Sequence, residues 1–143
     1  MNVEHILSEK GRHVVTITPN LTLEEASRVL SEHRIGAVVV SDPGNPVLGV
    51  LSERDIVRAV ASSGAAALKE PVSQHMTAKV VTCTCRTAIN DLMETMTTGK
   101  FRHVPVVENG RLSGIVSIGD IVKHRVAEIE SESRALREYI ATA

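Results

Sequence analysis

Two Ser-x-x-Asp sequences contain the residues of this chain that are best suited to bind a small ligand. Ser52 and Asp55 follow one apolar segment, and Ser117 and Asp120 follow a second one further along the chain. A carboxylate accepts hydrogen bonds through two oxygens, so each aspartate suits a ligand that presents two neighbouring hydroxyl groups. Each serine stands where a helix is expected to begin, and its hydroxyl and the free backbone N–H groups there could receive a phosphate.

The same spacing is also close to that of a helix capping box. In a capping box the serine hydroxyl accepts from the backbone N–H three residues later, and the side chain at that later position accepts from the N–H of the serine. Gly49 and Gly114 precede the two motifs. They allow two interpretations as well, because a glycine can let a ligand approach or can simply follow a hairpin turn. A single motif therefore does not decide between a ligand site and a cap.

The chain contains two copies of one unit, since the similarity around the motifs extends backwards from both of them. Gly49–Val57 matches Gly114–Val122, and residues 14–18 match residues 80–84. A motif that occurs twice in register is stronger evidence for shared chemistry than one that occurs once. The predicted organisation is a leader over residues 1–13, a first repeat over 14–60, a linker over 61–79, a second repeat over 80–125 and a helical tail over 126–143.

Each repeat is predicted to fold as strand, helix, strand, strand and helix, which gives an α+β fold. In the first repeat, Thr22 and Glu25 form the signature of a helix start. The apolar residues 35–40 and 47–51 flank a cluster of Asp, Pro, Gly and Asn and predict a hairpin. The second repeat shows the same order, with its first hairpin strand over residues 101–107. The closing helix of that repeat is predicted to continue as a long tail.

Composition excludes several classes of function. The formal net charge of −1 with interspersed signs predicts no binding to nucleic acid, which normally needs a basic face. One Phe and one Tyr are the only aromatic residues, so bases could not stack on a row of aromatic side chains. The chain has no apolar run long enough to span a membrane, and its first residues are too charged for a signal peptide. We therefore predict a cytoplasmic protein with no membrane contact.

The two cysteines, Cys83 and Cys85, do not predict a metal site. Two thiolates need further ligands, and the six histidines show no ligand spacing. Cys83 stands where the first repeat has Ile17, which indicates a small core residue. The chain also lacks a P-loop, a nucleophile–base pair and a paired-carboxylate arrangement, so we predict that it is not an enzyme.

Taken together, these motifs resemble the cystathionine-β-synthase-type (CBS) domain pair, a tandem found in stand-alone regulatory modules. The resemblance rests on the doubled Gly-apolar-apolar-Ser-x-x-Asp sequence, on the opening strands with a Thr near their ends, and on His75-Met76-Thr77 at the entry to the second repeat. It covers both repeats and the linker. It implies that the repeats pack about a pseudo-two-fold axis and leave two clefts, which commonly hold adenosine-containing ligands.

The resemblance implies a role for each motif residue. Asp55 and Asp120 would bind the hydroxyls of a ribose, with Ser52 and Ser117 beside them. Ribose or phosphate would also contact Arg54, Arg102, His103, Thr16 and Thr82. Adenine would lie against the apolar strands, at Ile35, Ala37, Val38, Phe101, Val104 and Pro105. Because Arg54 is matched by Gly119, and Arg102 and His103 are matched by Gly36 and Ala37, the two clefts should not be equivalent.

The function implied is that of a non-catalytic sensor that binds an adenine nucleotide and reports its occupancy to an unknown downstream protein. AMP is the preferred ligand, because the basic residues favour phosphate over the cationic sulfonium of S-adenosylmethionine. ADP, ATP and NAD(H) share the same adenosine group and remain open. We predict a homodimer, with the C-terminal helix as one contact. The alternatives are a structural dimerisation module with degenerate clefts, an NAD(H)-binding redox-state sensor, a redox or metal sensor built on Cys83 and Cys85, and an unrecognised nucleotide hydrolase.

Overall fold

The computed structural model describes residues 1–142 and has the predicted α+β architecture, with two similar units about a pseudo-two-fold axis. Residue 143, which belongs to the predicted tail, lies outside the described residues. The elements in chain order are α1 (Val3–Lys10), β1 (Thr16–Ile17), α2 (Leu23–His33), β2 (Ala37–Asp42), β3 (Asn45–Ser52), α3 (Glu53–Ser63), two 3-10 helices (Gly64–Lys69 and Val72–Gln74), α4 (Ile89–Gly99), β4 (His103–Glu108), β5 (Arg111–Ser117) and α5 (Ile118–Thr142).

The first unit is built around the antiparallel hairpin of β2 and β3, in which Ala37 pairs with Ser52. Helix α2 begins at the predicted capping box, because Thr22 Oγ1 accepts from the N–H of Glu25 at 3.2 Å. Its apolar face then packs on the hairpin together with α3, so that α2, β2, β3 and α3 enclose one core. The helix ends at His33, and Arg34 follows in the left-handed conformation.

The second unit repeats this arrangement with the hairpin of β4 and β5, in which His103 pairs with Ser117. Lys100 follows α4 in the left-handed conformation, as Arg34 follows α2. Since Ala37 pairs with Ser52 and His103 with Ser117, the register makes Ala37 and His103 equivalent positions. The units meet along β3 and β5.

The opening strands are shorter than predicted. In the first unit only Thr16 and Ile17 pair with β2, in parallel. In the second unit residues 80–84 form no regular strand, and a single bridge joins Cys83 to Val106. Val81 and Thr82 are exposed there, whereas Cys83 is buried. Little apolar surface is therefore gained by holding the rest of this segment against the sheet.

The leader contains helix α1, which belongs structurally to the second unit. Val3, Ile6 and Leu7 are at most 4% exposed and join the core of that unit. The N–H of Val3 also donates to the carbonyl of Thr87 at 3.0 Å. The first residues of the chain therefore complete the core of the repeat that is furthest from them in sequence.

The linker plays the equivalent part for the first unit. Ala67 and Val72, from the two 3-10 helices, are buried in the core of that unit. The linker then pairs with β3, because Val50 and Thr77 exchange two backbone hydrogen bonds of 3.0 Å. This pairing places Lys79, Val80 and Val81 between the two units.

Helix α5 is much longer than its counterpart α3. It runs for 25 residues, and all of its described residues from Ile129 onward are exposed. Within residues 1–142, neither this helix nor any other is apolar enough over a sufficient length to cross a bilayer.

Candidate functional site

One cleft lies between the two units and has a volume of about 400 Å³. The first unit contributes the end of β3 and the start of α3, the linker contributes Thr77 and Lys79, and the segment after the linker contributes Val80 and Val81. The second unit contributes the loop over residues 100–103 and the start of α5. A cavity of this size is within the usual range for small-molecule sites. We call it the open cleft.

Asp55 lies in the open cleft and forms part of the cap of α3. The N–H of Ser52 donates to Asp55 Oδ2 at 2.9 Å, and the N–H of Asp55 donates to Ser52 Oγ at 3.3 Å. Asp55 Oδ1 lies outside this box and is 3.9 Å from Arg58 Nη1, beyond hydrogen-bond distance. The two interpretations of the motif are therefore compatible here, because one carboxylate oxygen caps the helix and the other can accept from a ligand.

Asp120 caps α5 in the same way, with the N–H of Ser117 donating to Oδ2 at 2.9 Å. The same oxygen also accepts from Lys10 Nζ at 2.7 Å, and this ammonium donates a second hydrogen bond to the carbonyl of Ile115 at 2.9 Å. Partial burial by itself would raise the pKa of Asp120, but the hydrogen bonds from Lys10 and Ser117 outweigh it and hold the pKa below the ordinary value. Asp120 is therefore engaged by a cation of the chain itself and does not line the open cleft.

The loop before β4 is positioned by the start of α5. The N–H of Ile118 donates to the carbonyl of Arg102 at 2.8 Å, just as the N–H of Glu53 donates to the carbonyl of Gly36 at 2.9 Å in the first unit. His103 follows in β4, and burial is the main reason why its pKa lies below the ordinary value, with the charge of Lys10 adding to the effect. His103 is consequently uncharged at neutral pH.

The rim of the open cleft is strongly cationic. Two acidic residues, Glu53 and Asp55, stand among the lining residues. The cations that line it outnumber them and come from both units and the linker: Arg54, Arg58, Lys79, Lys100 and Arg102. Clustered guanidinium and ammonium groups in a partly enclosed cleft favour an anionic ligand.

The structure brings together more than half of the polar residues that the sequence singled out. Those that line the open cleft are Ser52, Arg54, Asp55, Arg102, His103 and Ser117. Thr16 and Thr82 are exposed on the opening segments and do not line it. Asp120 is held by Lys10, as described above. The motif aspartates thus occupy equivalent positions in different surroundings.

The residues predicted to contact adenine lie in three different places. Phe101 lines the open cleft. Ile35 lines a separate shallow groove between α2 and α3. The other four predicted residues are buried and do not line the cleft: Ala37, Val38, Val104 and Pro105. Val38 and Val104 belong to the cores of their units. Side chains alternate across a strand, so successive residues of one strand point to opposite faces of the sheet.

Sequence reasoning did not assign the linker residues to the cleft. The unassigned lining residues include Arg58, Thr77, Lys79, Val80, Val81 and Lys100. The similarity of His75-Met76-Thr77 to a repeat entry was visible, but the pairing of Thr77 with Val50 was not. Lys100 could have been found from the sequence, because it is the match of Arg34 in the first repeat. In the structure each of these two residues follows a helix in the left-handed conformation.

The cysteines lie away from the cleft, next to α1 and β4. Burial raises the pKa of Cys83 to about 12, and it also raises the pKa of Cys85. Arg12 Nη1 is 3.5 Å from Cys85 Sγ, and Nη2 of the same guanidinium pairs with Glu4, which links α1 to this region. Among residues 1–142 there is no group of three or more side chains arranged to hold a metal ion. Neutral thiols are poor nucleophiles.

Comparisons with known proteins agree with the geometry. The family model described as "CBS domain" matches residues 3–62 and 72–127. A CBS-domain containing protein from Agrobacterium tumefaciens has a crystal structure that is similar with a TM-score of 0.85 and 54% identity, over 87% of this chain and 99% of that one. A CBS domain protein from Pyrobaculum aerophilum, solved in complex with AMP, is similar with a TM-score of 0.74 and 31% identity, over 84% of this chain and 89% of that one.

A curated relative, described as an uncharacterized 17.7 kDa protein of Acidianus ambivalens, is 39% identical over 111 residues. These residues are 77% of this chain and 66% of the relative, so the match spans about two thirds of that protein.

Proposed function

Because the chain belongs to the CBS domain family, we propose that it is a non-catalytic regulatory module whose open cleft binds an adenosine-containing nucleotide, with AMP as the preferred ligand. The observation that carries the proposal is that Asp55 Oδ1, which is 3.9 Å from Arg58 Nη1 and lies outside the capping box, stands within a cleft that is rimmed by cations. The complex of the Pyrobaculum relative with AMP supports it.

The polar part of the nucleotide is matched by groups on both sides of the cleft. Asp55 Oδ1 would accept from the ribose hydroxyls, while Oδ2 continues to cap α3. The phosphate would lie among Arg54, Lys100 and Arg102, with His103 beside it. A hydrogen bond to a charged group contributes roughly 1.5 to 3 kcal/mol, so Asp55 alone would supply a substantial part of the affinity.

The adenine would be held by aliphatic groups and the one phenylalanine. The apolar residues that line the open cleft are Val50, Val80, Val81, Phe101 and Ile118. Val81 is exposed in the structure without ligand, so its side chain is accessible to a base. These residues replace the buried strand positions that the resemblance implied for adenine.

Ligand binding would be read through the relative position of the two units. The cleft is lined by the starts of α3 and α5 and by the linker, so a ligand that contacts all of them has a different affinity for each relative orientation of the units. Such a difference in affinity is what shifts a conformational equilibrium. We propose that a homodimer and a downstream protein partner detect this shift.

Isothermal titration calorimetry of the nucleotide-free protein tests the proposal. The panel is AMP, ADP, ATP, NAD(H) and S-adenosylmethionine, with GMP as the control that keeps ribose and phosphate but changes the base. We expect saturable binding of an adenosine compound, one ligand per chain, and no binding of GMP. Recovery of the nucleotide intact after long incubation is expected of a module that does not catalyse hydrolysis.

The second candidate is a structural module with degenerate clefts. It is favoured by the observation that both motif aspartates cap helices and that Asp120 is already paired with Lys10. Absence of binding to every member of the panel at millimolar concentration would support this candidate and contradict the sensor.

A further inference from the structure

The exposed part of helix α5 carries a regular apolar stripe. Val122, Val126, Ile129, Leu136 and Ile140 are between 48% and 65% exposed. They follow spacings of four, three, seven and four residues, and Ser133 stands at the position that the seven-residue gap leaves between two of them. Apolar residues that recur at alternating intervals of four and three are typical of one strand of a coiled coil.

This stripe has no partner within the described residues, because the chain leaves the body of the protein at about Ile129 and stays exposed to Thr142. An isolated helix of this kind is marginally stable in water unless a second surface covers its apolar face. We propose that the occupant of this face is α5 of a second copy of the chain, in a parallel two-stranded coiled coil. The proposal does not depend on nucleotide binding.

The charges beside the stripe fit a second copy in parallel. In the heptad notation abcdefg, Val126, Ser133 and Ile140 occupy a positions, and Val122, Ile129 and Leu136 occupy d positions. The residues at e and g that flank them include Arg125, Glu130, Glu132 and Arg137. In a parallel pair each g residue lies near the e residue five positions later on the other helix, and opposite charges there set partner and orientation.

Both of these pairings are attractive. Arg125 would face Glu130 of the second copy, and Glu132 would face Arg137 of the second copy. Each pair occurs twice by symmetry. Arg125 also contacts Glu128 of its own helix, at 3.0 Å between Nη1 and Oε1. The pair between Glu132 and Arg137 is therefore the clearer one to test.

Disulfide trapping tests the register. In a Cys85→Ser background, Ser133→Cys places a thiol at an a position, opposite its own equivalent in a parallel pair. Ser131→Cys is the matched control, because it makes the same change at the f position on the outer face of the same helix. Mild oxidation is expected to convert most of the Ser133→Cys protein to a covalent dimer on non-reducing gels and to leave Ser131→Cys as single chains. The opposite pattern, or equal cross-linking, would overturn the proposal.

Charge reversal gives an independent measurement by sedimentation equilibrium. Glu132→Arg turns two attractive contacts into repulsive ones and is expected to weaken dimerisation roughly four- to thirtyfold. Adding Arg137→Glu to the same chain should restore the affinity to within about twofold, whereas Glu138→Arg, at an f position, should have little effect. An antiparallel pair would be weakened by Glu132→Arg but not rescued by Arg137→Glu. A single-chain species at all concentrations, or a dimer insensitive to these changes, would refute the proposal.

Discussion

The two Ser-x-x-Asp motifs share one sequence pattern but lie in different surroundings. In the open cleft Asp55 faces the loop over residues 100–103, with its three basic side chains. On the other side Asp120 is paired with Lys10 at 2.7 Å, and the equivalent loop, over residues 34–37, offers Gly36 and Ala37 instead. The motif alone therefore does not make a binding site. What differs is the segment that packs against it, which is the linker in one case and the leader in the other.

The aspartates provide the strongest test of this comparison. We expect Asp55→Ala to reduce nucleotide affinity by roughly 1.5 to 3 kcal/mol, because a charged acceptor of the ribose hydroxyls is lost. Asp120→Ala should change affinity by less than about 0.5 kcal/mol, since that carboxylate does not reach the ligand. Isothermal titration calorimetry with AMP measures both.

Stability provides the control for that pair of variants. Each change removes the capping acceptor of a helix, so each should lower the free energy of unfolding by about 0.5 to 2 kcal/mol. Asp55→Asn keeps an acceptor oxygen for the cap and removes the charge, and it should weaken binding with a smaller loss of stability. Equal effects of Asp55→Ala and Asp120→Ala on affinity would show that the clefts are equivalent after all.

The glycines before the motifs distinguish the two packing segments. A Cβ on Gly49 would lie 2.6 Å from the backbone oxygen of Thr77, whereas a Cβ on Gly114 would lie 2.7 Å from Cδ2 of Leu7. Backbone of the paired linker cannot yield, but the end of a leucine side chain can rotate. We expect Gly49→Ala to lower the free energy of unfolding by about 1 to 3 kcal/mol and Gly114→Ala by about 1 kcal/mol or less.

Urea denaturation measures both glycine variants under the same conditions. Gly49→Ala should also weaken nucleotide binding, because it displaces Thr77 and the residues that follow it along the cleft. A larger loss for Gly114→Ala would mean that the leader is held more rigidly than the linker.

Removal of the Lys10 ammonium should make the surroundings of Asp120 more similar to those of Asp55. Lys10→Met is expected to free Asp120 and to add a second, weaker nucleotide-binding event in calorimetry, while Lys69→Met, at an exposed linker lysine, should not. The cost in stability is expected to be about 1 kcal/mol or less, because the ion pair is partly exposed.

Acid unfolding gives a second readout of Lys10. The pKa of Asp120 is lowered in the folded state, so its contribution is present above the ordinary value of 3.8 and is lost as pH falls through the lowered value. Lys10→Met should therefore show a shallower loss of stability between about pH 5 and about pH 3 than the unchanged chain. An unchanged slope would mean that Lys10 does not determine the ionisation of Asp120.

The smallest expected effect is a pH dependence of nucleotide affinity that comes from His103. The equivalent residue in the first unit is Ala37, which does not titrate. Because burial lowers the pKa of His103 below 6.5, the empty protein should lose stability as pH falls from that value through the lowered one. A bound phosphate favours the protonated imidazole, so nucleotide affinity should rise by less than about tenfold between pH 7.5 and about pH 6. His103→Gln should remove this rise, and His33→Gln, at an exposed site, should retain it.

Local sequence signals predicted much of the fold and part of the site. The capping boxes at Thr22, Ser52 and Ser117 join residues three positions apart, and the hairpins join neighbouring strands. Such short-range features depend on a few residue types, so they can be seen in the chain. The prediction that Ser52, Asp55 and Arg102 share one site rested on the resemblance of the two repeats to a CBS domain pair.

The replacement of Arg54 by Gly119 in the second copy already predicted that the copies differ, but only the tertiary structure decided which aspartate lines the open cleft. Lys10 reaches Asp120 across 110 positions of sequence, and helix α1 fills the core of the distant unit. No periodicity or spacing signals a contact of that kind, since a lysine near the start of a chain normally points into solvent. The sequence by itself determined two units with equivalent polar motifs. Packing of the leader and the linker determined that one motif faces an open cationic cleft and the other faces an internal ammonium group, because these contacts join segments that are far apart in sequence.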